Sequence, residues 1–206
     1  MTDNFALLDE PRRPWLDPET VKEKFLSLSS TVHPDRVHGL TPAERSAAQA
    51  RYVELNAAAQ CLRNPKDRLR HLLELELGQV PREIQRIPSD LMDVSLKVGD
   101  ACRQTDVLIA EKAGITSPLL KVQFFERSQA RTENLQALQQ TLGARRDSLI
   151  DELRKLDARW TSEISNASPG RGDLFVRLEE LYRLFSYYDR WNEQIQERIV
   201  QLSFQF

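Results

Sequence analysis

Apolar residues recur along this chain at spacings of three and four, in blocks separated by proline and glycine, which is the signature of amphipathic helices rather than strands. Phe5, Leu7 and Leu8 open a short helix that Pro11 and Pro14 end. A second helix starts after Asp17, an N-cap residue followed by Pro18 at the first helical position. Val21, Phe25, Leu28 and Val32 share one face of it, predicted to be core, while Lys22, Glu23, Ser29 and Ser30 fall on a face predicted to be wet. Thr41-Pro42-Ala43-Glu44 has the spacing of a capping box, so a third helix is expected from about Pro42 to Leu62. Its stripe of Ala48, Tyr52, Leu55, Ala59 and Leu62 is rich in small residues, which lets another helix approach closely and predicts an antiparallel hairpin with the one before. Asn64-Pro65 opens a fourth helix, to about Leu77, with Arg63, Lys66, Arg68 and Arg70 placed on its polar side and Gly78 ending it.

Pro81 and Pro88 bracket a segment without periodicity, read as a boundary: a first domain over 1–77, a linker over 78–88 and a second domain over 89–206. Ser89 is expected to cap a helix whose stripe is Leu91, Val94, Val98, Cys102 and Ile109, running to Gly114. Ser117-Pro118 restarts the chain, and Leu135, Leu138, Leu142, Leu149, Leu153, Leu156 and Trp160 form a nearly heptad pattern. Gly143 lies inside it and costs a helix about 1 kcal/mol relative to alanine, so a kink or break is expected there. Ser168-Pro169-Gly170-Arg171-Gly172 reads as a loop, and a last helix from about Leu174 to Leu202 carries Leu174, Leu178, Leu181, Phe185, Tyr188, Ile195, Ile199 and Leu202. The fold class is therefore all-α: an N-terminal helical hairpin, then an elongated antiparallel bundle of three to four helices.

Composition narrows the function. The 206 residues suffice for one large or two small domains. A formal net charge of −2, without a basic stripe interleaved with aromatics, gives no general attraction to nucleic acid. No apolar run is long enough to cross a bilayer, and the first residues lack the basic and apolar regions of a secretory signal, so the cytoplasm is the expected location, with no membrane partner. The two cysteines, Cys61 and Cys102, are too few and too far apart for a disulfide framework or a zinc site and read as buried free thiols. No metal and no cofactor are expected.

The candidate chemistry sits between the second and third helices, at His33-Pro34-Asp35. Proline disfavours the α conformation in the residue before it, so His33 should be extended and the helix should stop there, leaving the imidazole and carboxylate at a bend. A histidine and a carboxylate two residues apart could serve as a base and its orienter, but nothing nearby supplies a nucleophile, an oxyanion site or a metal. A histidine that merely caps a helix C-terminus is the plain structural alternative.

The flanks add more. Leu16-Asp17-Pro18-Glu19-Thr20-Val21 and the helix it opens, then Leu55-Asn56-Ala57-Ala58-Ala59-Gln60-Cys61-Leu62, Arg63-Asn64-Pro65-Lys66-Asp67-Arg68 and Leu72-Leu73-Glu74-Leu75, resemble a J-domain, most closely that of the HscB-type co-chaperones of iron–sulfur cluster assembly. The likeness covers roughly residues 5–76. It implies that the chain is not an enzyme, and that His33, Pro34 and Asp35 contact a DnaK/HscA-class heat-shock ATPase and stimulate its ATP hydrolysis. Arg36 keeps the positive charge that relatives place after the tripeptide; Lys22 and Lys24 on the preceding helix are offset by Glu19 and Glu23, and Ser30 stands where a basic residue is common. The resemblance further implies that the second domain binds an iron–sulfur scaffold protein through an apolar patch on its first and last helices. Leu91, Met92 and Tyr187 fall at the matching places, although Leu96, Gly99 and Arg103 replace acidic residues of relatives and residues 112–131 look inserted. With Leu96, the client surface would also take in Leu184, Tyr187 and Trp191, a second apolar stripe on the last helix that reads equally as a face packed against neighbouring helices. Two other readings stay open: a J-protein with a different client, and a helical adapter without activity.

Overall fold

Side-chain caps set where the helices begin. Asp3 accepts hydrogen bonds from the amides of Phe5 and Ala6 and starts α1 (Asn4–Leu7). Asp17 accepts from the Thr20 amide and starts α2 (Pro18–Ser29). Thr41 and Glu44 close the capping box that starts α3 (Pro42–Arg63), and Asn64 accepts from the amides of Lys66 and Asp67 to start α4 (Pro65–Leu77). Gly78 ends α4 with φ of 70°, a left-handed conformation that costs glycine little. Then follow α5 (Met92–Glu111), α6 (Pro118–Ser165) and α7 (Arg171–Ser203). The structure, a computed structural model, describes residues 2–33, 36, 39, 41–81, 87–115, 117–165 and 171–203, and among these the regular structure is helical throughout. The fold is all-α.

Several expectations need correction. Ser89 opens a short 3-10 turn ahead of α5 and makes no capping hydrogen bond. Gly143 neither ends nor interrupts α6: the missing side chain leaves open space, and packing on both sides of the glycine outweighs its low propensity. Arg171 and Gly172 form the first turn of α7 rather than loop. On α2 the inward line follows Val21, the half-buried Phe25 and Ser29, the i+4 ridge on the side of α3, so Ser29 is buried while Leu28 is 39% exposed. Arg68, expected on the polar side of α4, is fully buried.

The chain forms two compact units. The first comprises residues 1–82 and 150–183. In it α3 packs against α1, α2 and α4, with Phe5, Leu8, Val21, Leu55, Leu62, Leu69 and Leu72 buried. The stretches of α6 and α7 in this unit run antiparallel: Glu152 takes a bidentate pair from Arg177 at 2.6 and 2.8 Å, and Trp160 meets Phe175 edge-on at 5.5 Å between ring centroids. With Glu180 also bound, the Arg177 guanidinium is held well above its ordinary pKa by these hydrogen bonds.

The second unit comprises residues 83–149 and 184–206. Gln139 bonds Asn192 and Gln196 while Arg146 bonds Asp189, so α6 and α7 are antiparallel here too. Glu111 pairs with Arg127 near the turn from α5 to α6, and Asp106 pairs with Arg198, which sets α5 parallel to α7. The result is an up-down-up bundle around Val94, Val98, Cys102, Leu135, Leu142, Tyr188 and Ile195. Burial raises the thiol pKa of both Cys102 and the half-buried Cys61.

Candidate functional site

The end of α2 is closed by its own hydroxyls. Ser29, Ser30 and Thr31 donate to the carbonyls of Leu26, Ser27 and Leu28, the first of which also accepts from the Ser30 amide. The Val32 amide donates to Ser29 O, and His33 follows outside the helix. The Arg36 amide then donates to the His33 carbonyl at 2.9 Å. Of the tripeptide, His33 is described, whereas Pro34 and Asp35 lie outside the described residues.

The His33 ring is half-buried and meets Tyr52 of α3 edge-on, with centroids 5.6 Å apart and planes at 86°. Tyr52 also contacts Phe25 of α2 at 5.9 Å. Tyr52, itself in contact with Phe25, therefore restrains the imidazole just past the end of α2 through an edge-to-face pair. The arrangement offers an oriented aromatic donor at a surface bend, which suits recognition. Among the described residues no group of three His, Cys, Asp or Glu is placed to hold a metal.

The basic residues on α2 are engaged. Lys22 pairs with Glu19 at 2.9 Å on an exposed face. Lys24 donates to the Asp9 carbonyl and pairs with Glu10 at 3.1 Å, tying α2 to the segment after α1. Arg36 is exposed.

The six residues of the expected client patch fall into different environments of the second unit. Leu91 and Trp191 are 4% and 5% exposed, inside its core. Leu184 and Tyr187 are half-buried against that core, Tyr187 stacking on Trp191 at 5.7 Å. Met92 and Leu96 are 45% and 56% exposed. A concavity of about 390 Å³ in this unit takes in Tyr187 and Trp191 of the patch, together with Ile87, Ser95, Val98, Gly99, Arg190 and Gln194. A further exposed apolar set, Leu119, Leu120, Val122 and Phe125, lies at the start of α6.

Periodicity did not reveal what holds the segment between α1 and α2. Asp157 of α6, 3% exposed, accepts from Arg13 through both of its oxygens and from the Trp15 amide at 3.1 Å. Arg68 donates to the carbonyls of Pro14 and Leu62, and burial lowers its pKa to about 10 against the opposing field of Asp157.

Hairpin and bundle together make an all-α protein in which a half-buried histidine follows the second helix and meets Tyr52 of the third edge-on. No protein-family model matches the chain. It is similar over 91 residues to the co-chaperone protein HscB homolog of Mannheimia succiniciproducens, at 29% identity, covering 44% of this chain and 53% of that protein. Over 72 residues it is 36% identical to the HscB homolog of Bordetella pertussis, covering 35% and 42%. The matches thus span about half the length of these curated relatives. In fold the chain is similar to chaperone HscB from Vibrio cholerae, with a TM-score of 0.61 and 16% identity over 98% of this chain and 99% of that one. It is likewise similar to the human co-chaperone protein HscB, with a TM-score of 0.62 and 16% identity over 96% and 82%. The resemblance to HscB-type co-chaperones holds in sequence over less than half of the chain and in fold over nearly the whole of it.

Proposed function

We propose that this protein is a co-chaperone: its hairpin stimulates the ATPase of a DnaK/HscA-class heat-shock chaperone, and its second unit delivers an iron–sulfur scaffold protein to it. The observation that carries the first half is the His33 ring, met edge-on by Tyr52, which Phe25 in turn contacts, beside two packed helices. A ring restrained this way loses little further freedom on binding, so the turn is prepared for a partner before the partner arrives. The carboxylate of Asp35 adds an acceptor pair suited to a bidentate arginine on the chaperone, and Arg36 adds positive charge beside it. Lys22 and Lys24 are partly neutralised by Glu19 and Glu10, so they contribute to steering rather than to the central contact. For the client, Met92 and Leu96 supply exposed apolar surface, while Leu184 and Tyr187 are half-buried and Leu91 and Trp191 belong to the core of the same unit.

The test is single-turnover ATP hydrolysis by such a chaperone with and without this protein. Acceleration supports the reading, and an unchanged rate retires it. A different client is the second reading, favoured by the exposed Leu119, Leu120, Val122 and Phe125, which lie apart from Met92 and Leu96 in sequence. Co-precipitation with the purified cluster scaffold separates the two: retention that Leu96→Glu abolishes supports the scaffold, and no retention supports another client.

A further inference from the structure

The segment that joins α1 to α2, residues 8–17, has no regular structure, yet it is fastened at four successive residues within the first unit. The Arg12 carbonyl accepts from Trp160 Nε1 at 2.9 Å. Arg13 grips the Asp157 carboxylate through Nε at 3.0 Å and through a second nitrogen. The Pro14 carbonyl accepts from Arg68 Nε at 2.7 Å, and the Trp15 amide donates to Asp157 at 3.1 Å. The Trp15 ring is capped by the Arg154 guanidinium at 4.5 Å. Two residues later Asp17 caps α2, and no slack remains between strap and helix.

Arg68 bonds Pro14 and lies over the Trp15 ring at 5.6 Å, while Asp157 is the one of these anchors whose side chain hydrogen-bonds two strap residues. It takes one backbone amide as well as a guanidinium, so it fixes the strap's main chain and not merely a side chain. An aspartate facing the interior of a helix bundle is a poor choice for packing, and an apolar residue would fill the same space without needing partners. We propose that Asp157 is a positioning residue for the His33 turn: by fastening the strap to α6 it fixes where α2 begins on α3 and so where α2 delivers His33. This rests on reading that turn as the chaperone contact. With its twelve residues, α2 is about 18 Å long, so a tilt of about 10° at the strap displaces its far end by about 3 Å, more than a recognition contact tolerates.

The experiment uses the full chain in three forms that remove or restore the grip: Arg13→Ala, Arg13→Lys and Asp157→Asn. Leu135→Ala, which opens a cavity in the second unit, serves as a variant destabilised elsewhere. Amide exchange is followed across residues 15–33, and single-turnover chaperone ATPase is measured against co-chaperone concentration at a temperature where each variant remains folded. Arg13→Ala is expected to speed exchange over α2 and to raise the concentration for half-maximal stimulation, each by about tenfold, with the saturating rate unchanged. Arg13→Lys should recover part of both shifts, and Leu135→Ala should show neither. Should Asp157→Asn not fold, Arg13→Ala carries the comparison alone. A folded Arg13→Ala variant with wild-type exchange and wild-type concentration dependence overturns the proposal, as does an equal shift in Leu135→Ala. If the wild-type chain never stimulates, the reading of the turn fails and the functional half of the proposal with it, while exchange in Arg13→Ala still decides whether the fastening exists.

Discussion

Tyr52 limits how far the His33 ring can move, because it meets that ring edge-on and also touches Phe25 on the same helix face. Tyr52→Leu keeps the apolar bulk and removes both ring contacts. It is expected to lower stability by about 1–2 kcal/mol in denaturant titration, and to broaden the His33 ring resonances. An unaltered midpoint would mean the aromatic bracket is idle. Arg68 sets a harsher constraint: Arg68→Met leaves the Pro14 and Leu62 carbonyls buried without their donor and is expected to cost about 2–4 kcal/mol by the same measurement. The sequence showed Tyr52 in its stripe, since the spacing of α3 alone places it inward. It could not show Arg68, because a charged residue reads as solvent-facing until its carbonyl acceptors are located, and Pro14 is 54 residues away.

At the scale of single elements the caps were the most legible feature, because each acts over a few residues of continuous sequence. Asn64→Ala at the start of α4 is expected to cost about 1 kcal/mol, read as a lowered thermal midpoint. The capping of α1 was not legible, since one of its amide donors is satisfied from another helix: Asn4 N–H donates to His71 Nε2 of α4 at 3.0 Å. That bond requires a neutral imidazole. Burial pushes His71 below its ordinary value of 6.5, with Arg12 acting in the same direction and the carboxylates of Asp3 and Glu74 opposing it. The unfolded chain takes up the proton near pH 6.5 and the folded chain only at lower pH, so the contribution is fully present above 6.5 and is lost as pH falls through that window. Below it Asp3 adds a second acid loss: burial raises its carboxyl, but the Arg12 hydrogen bond and the α1 amides outweigh this and hold it below 3.8. Amide exchange over residues 4–7 should quicken on acidification below pH 6.5, and His71→Gln, which offers an acceptor that does not titrate, should flatten that part of the dependence. A His71 midpoint at or above 6.5 by NMR would contradict it.

For the whole molecule, helical class and the order of elements followed from periodicity, whereas the assignment of each turn of α6 and α7 to a core did not. A heptad pattern states that a face is buried and is silent about against what. The partners of Asp157 are 142 and 144 residues away, beyond the reach of any local pattern. Because residues 150–183 belong to the first compact unit, a fragment ending at residue 82 is expected to unfold less cooperatively and at a lower temperature than the full chain. A fragment with the full chain's midpoint for the hairpin would contradict that expectation. Among the described residues no helix is long and apolar enough to cross a membrane. The central claim, that the turn at His33 is what a chaperone ATPase responds to, is tested most directly by single-turnover ATP hydrolysis with wild-type protein, His33→Gln and Asp35→Asn compared at equal folded concentration. The account predicts acceleration by the wild type and none by either variant, with helicity unchanged; acceleration by either variant at the wild-type level would contradict it.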